Sequence, residues 1–499
     1  MIKELLKDLV KFFFFRVLLS LGWLLTIKLS THFLSAKEYG NYTLVYTAIN
    51  ICVALATGWV SASVLRFYPA YELKNQLDPF TKKVFQISSL TILSIAIILL
   101  LLIISLYPYI ESYLGCLFQI GILAFVILSF WNILICFLRT RRQVIAYGFF
   151  NLWQNLGAFA FGLWLIYFFH LRAAGMIWGI VIGLLILMPV LYYKVVTYKQ
   201  LKMPEVLVVS TSQLAYKQLY RSFLRYGLPI VLINVFTIGL SGLDKFVIKY
   251  FHGSMATGVY AACYAISEQS IFVITSLFSI TAVPILFKLW EKGDIEKVKL
   301  FLHKITRYYL AIAIPATVGL SILAKPVISL IVEEQYRSGY LILPIVSAGA
   351  FLVGVANIYS EALTMHKQTK SLMYCYLIAL MVNVVTNFLL VPYFGYFGAA
   401  YSTVLTYLVL LLVIIYQARK WLIFSFPFQI LIKIICSSAI MGVLMKVLLN
   451  FWEADSIINL MTIIALAILT YIILVLTIFK IITPQEKKWL FFKFKLLKR

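Results

Sequence analysis

The 499-residue sequence predicts an all-α, multi-pass integral membrane protein made of two pseudo-symmetric halves. Three observations predict it: an apolar composition, apolar runs of membrane-crossing length, and a pattern that returns. Hydrophobic residues make up 63% of the chain and charged residues 12%, with a mean hydropathy of +0.98. A soluble domain carries about 25% charged residues, so water cannot be the solvent for most of this surface. Bilayer is what remains.

A helix crosses a bilayer with about 20 apolar residues. Fourteen such runs are readable: 12–34, 42–67, 84–108, 117–138, 144–169, 175–193, 225–250, 256–288, 306–331, 340–365, 372–391, 398–418, 429–450 and 457–480. Basic residues crowd alternate seams, for example Lys82 and Lys83, then Arg139, Arg141 and Arg142, then Lys367 and Lys370, then Arg419 and Lys420. The intervening seams are short and mixed: Lys37 and Glu38, Glu111, Arg172, Glu333 and Glu334, and Glu453 with Asp455. This asymmetry places both termini in the cytoplasm, as an even number of crossings requires. It also accounts for the formal net charge of +25 without nucleic acid, whose binding needs a clustered basic face.

The organisation expected is a lobe of six helices over 1–194, a basic cytoplasmic connector over 195–224 and a second six-helix lobe over 225–420. Residues 421–499 add two helices and a basic tail. Residues 289–304 suit a short amphipathic helix on the inner surface. Residues 489–495 mix aromatic and basic side chains, as a segment resting on an anionic leaflet does. The first apolar run is too long for a cleavable signal and has no small-residue cleavage site after it, so it is expected to stay in the protein.

The repeat supports the two halves. Gly40, Tyr42 and Tyr46 return as Gly258, Tyr260 and Tyr264, an offset of 218, each set following a lysine (Lys28, Lys245) by a dozen or so residues. Leu138, Arg142 and Gln143 match Leu363, Lys367 and Gln368 at 225, and Ala173-Ala174 match Ala399-Ala400 at 226. Ordered matches at a slowly drifting offset indicate a duplicated bundle.

An ionisable group inside an apolar run is costly and needs a reason. Lys28 and Lys245 lie at equivalent depths in their helices; either both reach the outer headgroups or both face an internal cavity. Arg66 closes the second helix beside Tyr68 and Pro69, as an inner-surface anchor or a cavity residue. Lys325-Pro326 is either cavity-lining or a kink with a surface-seeking lysine. Asp244 adjoins Lys245, but successive helical residues point ~100° apart, so the two make no good pair alone. Glu268 sits near mid-membrane and is a candidate proton-coupling residue or the partner of a buried lysine. Glu361, near the inner end of the tenth run, is expected in water. Asn151, Gln154 and Asn155 in one half, with Asn383 and Asn387 in the other, form polar stripes that suit either helix–helix bonding or sugar recognition. No nucleophile with its base, metal cluster or phosphate-gripping glycine loop is readable, and no cofactor is expected.

At these residues the chain resembles the polysaccharide or O-antigen flippases. These belong to the multidrug/oligosaccharidyl-lipid/polysaccharide exporter superfamily, with the drug extruders and lipid II flippases. The matching fragments run in order: 35–42 (Ser-Ala-Lys-Glu-Tyr-Gly-Asn-Tyr), 65–69, Gly227-Leu228-Pro229, Asp244-Lys245, Gly258-Val259-Tyr260, Ala324-Lys325-Pro326 with Tyr336, Asn387 through Pro392, Gly395, and Gly398-Ala399-Ala400. The resemblance implies a non-enzymatic transporter in a bacterial or archaeal cytoplasmic membrane. It would move an undecaprenyl-diphosphate-linked oligosaccharide outward by alternating access, for O-antigen, capsule or exopolysaccharide. A polysaccharide polymerase and a chain-length regulator would be its partners. Lys28, Arg66, Lys245 and Lys325, with Asn155 and Asn387, would line a cavity for diphosphate and sugar. Asp244 and Glu268 are the ion-coupling candidates. Lys28 stands where drug extruders often carry an acid, which favours an anionic cargo. The rivals are a lipid II flippase with the same architecture, a drug/cation antiporter with acids in its cavity, and a membrane polymerase or glycosyltransferase. The last needs a catalytic outer loop, and the outer seam at 332–339 offers only Glu333-Glu334.

Overall fold

The computed structural model describes residues 2–73, 76–141, 143–197, 216–452 and 456–478. Arg142, Glu453, Asp455, most of the 195–224 connector and the 489–495 segment lie outside the described residues. Among the described residues the chain is helical, with no strand. The helices are α1 (Ile2–Phe33), α2 (Ala36–Leu73), α3 (Leu77–Leu106), α4 (Ser112–Thr140), α5 (Val144–Leu152), α6 (Ala158–Phe169), α7 (Arg172–Val196), α8 (Tyr216–Glu291), α9 (Ile295–Ile322), α10 (Ala324–Ile331), α11 (Ile342–Met365), α12 (Thr369–Phe394), α13 (Tyr396–Arg419), α14 (Phe428–Phe451) and α15 (Ile457–Ile473).

The described parts of the fourteen apolar runs lie mostly on these helices, and twelve segments among the described residues are long and apolar enough to cross a membrane. One of them, Gly227–Glu291, has 65 residues. At ~1.5 Å per residue that is roughly 100 Å, several times the hydrocarbon thickness, so it must turn back. Gly253, with φ +78° and ψ 179°, breaks the helix between the runs 225–250 and 256–288. The left-handed φ suits a residue without a Cβ. On α3, the outward Leu90, Ile97, Leu101 and Ile104 are each about 60% exposed. A helical stripe of that kind would be an aggregation patch in water and is the ordinary face in lipid.

The chain divides into two compact units. The first comprises Met1–Ala262 and Gln368–Thr406. In it α4 packs on α2, α3 and α7, burying Trp131, Phe125 and Phe137. α6 lies close against α7, whose Gly175, Gly179 and Gly183 recur at every fourth position; a Cβ on Gly179 would sit 2.4 Å from the Gly162 Cα. Small residues at that spacing let membrane helices approach backbone to backbone. α2 and α8 cross at the repeated glycines. A Cβ on Gly40 would lie 2.0 Å from the Ser254 carbonyl oxygen, and one on Gly258 would lie 1.9 Å from the Ala36 carbonyl oxygen. Ala36 and Ser254 stand at the same offset as the two glycines, so the contact is reciprocal, as across a two-fold axis.

The second unit comprises Cys263–Lys367 and Tyr407–Arg499. Here α9 packs on α11 and α14, and α14 on α15. The segment 289–304 departs from expectation: it is not a separate surface helix. Gly293 (φ +74°) ends α8, the Asp294 carboxylate accepts from the Lys297 backbone N–H at 3.2 Å, and α9 then runs unbroken to Ile322. An N-cap starts a helix, and nothing near residue 304 stops this one. The run 306–331 is interrupted instead at Leu323, where Pro326 is tolerated in the first turn of α10.

Candidate functional site

The most developed polar site of the first unit surrounds Asp244, which is fully buried on α8. Its Oδ2 accepts from the Tyr260 hydroxyl at 2.7 Å and the Thr403 hydroxyl at 2.9 Å, and its Oδ1 from Asn387 Nδ2 at 2.8 Å. Asn387 also donates to the Asn383 carbonyl at 2.9 Å, and Asn383 Nδ2 to Thr406 Oγ1 at 3.4 Å. α8, α12 and α13 each supply part of the shell. The Oδ1 atoms of Asn383 and Asn387 are buried and receive no hydrogen bond. A buried acceptor without a donor costs about 1–3 kcal/mol. Three donors hold the carboxylate, and two amide oxygens on α12 are left as unpaired acceptors. Asn387, a candidate sugar contact in the sequence, is thus a donor to the acid.

Lys245 follows Asp244 but turns away, as helical geometry requires: half-buried, its Nζ donates to Thr47 Oγ1 on α2 at 3.4 Å. Lys28 on α1, Arg66 near the end of α2 and Lys325 at the start of α10 are exposed side chains. Lys325 belongs to the second unit, as does Glu268, which is half-buried and accepts from the Tyr264 hydroxyl at 3.4 Å. Asn155 lies in a π turn, Trp153–Gly157, that links α5 to α6. The structure thus joins Asp244 to Asn387 and gives the other candidates separate surroundings.

Three groupings were not read from the sequence. Glu111, between α3 and α4, faces Lys37 Nζ at 3.0 Å and Lys249 Nζ at 3.3 Å. The hydrogen bond from Lys37, reinforced by Lys249, holds its carboxyl below the usual range. Glu361, expected in water, is half-buried and lines a small cavity with Thr275, Ser279, Tyr309 and Asn357. It does so because the face of α11 that carries Asn357 and Glu361 turns toward α9. An apolar groove of about 560 Å³ in the second unit is lined by Phe351, Leu352, Leu411, Leu431 and Ile435, with Tyr359 and Arg419 among its polar edges. The signal available for the first site was the repeat itself: Tyr260 belongs to the returning motif and Thr403 lies one turn beyond Ala399.

The described residues thus form a bundle of helices of membrane-crossing length that encloses a buried carboxylate site. Comparison with known proteins gives the class. Residues 31–341, more than half of the chain, match the polysaccharide biosynthesis protein family, and the chain belongs to that family. An uncharacterized membrane protein of Methanocaldococcus jannaschii is 24% identical over 417 residues, 77% of this chain and 78% of that one. The lipid II flippase MurJ of Bacillus subtilis is 22% identical over 252 residues, covering 48% of this chain and 46% of that one. Among solved structures, a lipid II flippase MurJ in an inward closed conformation superposes with a TM-score of 0.73 at 18% identity, over 94% of this chain and 98% of that one. An inward-facing multidrug resistance MATE family transporter gives 0.63 at 14% identity, over 82% and 97%. The protein is a multi-pass membrane protein of a prokaryotic cell membrane, with the fold of the multidrug/oligosaccharidyl-lipid/polysaccharide superfamily of flippases and transporters.

Proposed function

We propose that this protein moves an undecaprenyl-diphosphate-linked oligosaccharide from the inner to the outer leaflet, by alternating access of lobes 1–194 and 225–420, for surface polysaccharide. The observation that carries the reading is the pair of lysines, Lys28 and Lys245, one per repeat and each set in an apolar stretch of helix, in a chain of a polysaccharide biosynthesis family. A diphosphate loses hydration when it leaves water, and fixed cations offset that loss. Arg66 extends the basic lining, Lys325 is a further candidate diphosphate contact, Asn155 contacts sugar, and both chain ends lie in the cytoplasm. A polymerase and a chain-length regulator act on the product.

Coupling sits at Asp244, with Glu268 a second candidate. The oxygen set of Asp244, Asn383, Asn387 and Thr403 suits Na⁺, or a proton on the carboxylate; binding there would favour one conformation over the other by its differential affinity. The second reading, a lipid II flippase, is favoured by the TM-score of 0.73 to such a protein. Cargo decides between them. Cells lacking the gene accumulate lipid-linked repeat units in the cytoplasmic leaflet, and Lys245→Ala reproduces this at normal protein level. Accumulation of lipid II in their place would assign the second reading, and accumulation of neither would remove both.

A further inference from the structure

A second polar recess lies in the first unit, away from Asp244. Its lining includes Trp23 and Thr26 of α1, Tyr42 and Tyr46 of α2, and Gln154 and Asn155 of the π turn. The turn itself explains how the amides arrive there. An i→i+5 turn inserts an extra residue and re-aims the side chains that follow. Trp153 anchors it by donating from Nε1 to the Gly183 carbonyl at 2.7 Å, and a Cβ on Gly157 would meet the Trp153 ring at 2.6 Å, so glycine leaves the indole room.

The chemistry of this recess is specific in four ways. Among the described residues, no charged side chain lines it. The Tyr42 and Tyr46 rings stack at 5.7 Å with 24° between their planes, offering a flat aromatic surface. The indole Nε1–H of Trp23 is buried and has no hydrogen-bond partner. The amide donors are directed elsewhere, Gln154 Nε2 to Asn132 Oδ1 at 3.5 Å and Asn155 Nδ2 to the Asn151 carbonyl at 2.8 Å, so their oxygens remain as acceptors. The cavity volume is about 40 Å³. At ~10–15 Å³ for each water-sized group, it takes about three such groups.

The geometry points to a subsite for one edge of a neutral pyranose. Two or three sugar hydroxyl groups enter the recess, donate to the Gln154 and Asn155 oxygens and accept from Trp23 Nε1–H, while the C–H face rests on the stacked tyrosines. A phosphate gains nothing from a lining without cations, so this site reads glycan and leaves the diphosphate to the lysines. The inference rests on the flippase reading and names the part of the cargo that one pocket recognises.

The test uses the full-length protein in nanodiscs and three probes: bare undecaprenyl diphosphate, and the same lipid carrying N-acetylglucosamine or galactose. The wild type binds at least one glycosylated lipid about tenfold more tightly than the bare one, the gain from one or two added hydrogen bonds. Trp23→Phe and Gln154→Leu bring the affinities together. Melting temperature in detergent identifies any variant that fails to fold, and the comparison is made on those that fold. Equal wild-type affinity for all three lipids, or a preference that survives both Trp23→Phe and Gln154→Leu, overturns the subsite while leaving lipid binding standing. Failure of the wild type to bind any of the three overturns the flippase reading itself.

Discussion

The two repeats place different chemistry at corresponding positions of one scaffold. At the offset of 217 that separates Lys28 from Lys245, and at the offsets of 225 and 226 further along, Asp244, Asn383, Asn387 and Thr403 correspond to Ile27, Ala158, Gly162 and Ile177. The first set is buried and hydrogen-bonded around a carboxylate; Ile27, Ala158 and Ile177 are equally buried and wholly apolar. In the first repeat the freed space is closed by glycines, with α6 and α7 in backbone contact at Gly162 and Gly179. The scaffold therefore tolerates either a dry joint or an acid site. Of these corresponding positions, the second repeat carries the acid and the first does not. What both repeats retain is the crossing glycine, Gly40 in one and Gly258 in the other.

The largest expected effect falls on that shared feature. Gly40→Val or Gly258→Val sets a branched side chain against a backbone carbonyl that already lies about 2 Å from where a Cβ would be. Neither variant should reach the membrane folded, and the two should fail alike, as fluorescence-detected size-exclusion would report; failure of only one would break the reciprocity. Next comes Asp244→Ala, which removes the acceptor that Tyr260, Thr403 and Asn387 share and should cost about 3 kcal/mol. Asp244→Asn keeps the shape, so it should lose transport with a smaller change in melting temperature. Thr403→Val removes one donor and should cost about 1 kcal/mol, whereas the mirrored Ile177→Thr puts a hydroxyl bonded only to its own helix into the dry joint and should cost a similar amount. If Ile177→Thr proved stabilising, the two joints would be more alike than described.

The smallest effect concerns Glu111, the acid that Lys37 of one repeat and Lys249 of the other share. Its folded-state pKa lies below the ordinary value, so its contribution is complete above about pH 4.5 and is lost as pH falls through the depressed value. The side chain is 40% exposed, which keeps the effect below about 1 kcal/mol. Melting temperature measured from pH 7 down to pH 3 should fall less steeply in Glu111→Gln than in the wild type.

Much of the fold was readable because a bilayer imposes it: run lengths are set by membrane thickness and the repeat by returning glycines and tyrosines. Asp244 and Asn387 were each legible as polar residues in apolar runs. Their bond was not, since 143 positions separate them and nothing local selects one partner over another. The π turn escaped because its register is decided by Trp153 reaching Gly183 on another helix. Glu361 escaped because its exposure depends on which face of α11 meets α9, and near a run end hydropathy is silent on that. The amphipathic 289–304 segment misled for a related reason. A polar-and-apolar pattern fits both a surface helix and the first turns of a longer one.

The most direct measurement is translocation of a fluorescent undecaprenyl-diphosphate-linked saccharide in proteoliposomes, with and without an imposed Na⁺ or proton gradient. The wild type should flip the lipid and respond to one of the two gradients, and Asp244→Asn should lose that response while folding normally. A rate in Asp244→Asn equal to the wild type under both gradients would contradict the assignment of coupling to the acid that the second repeat carries.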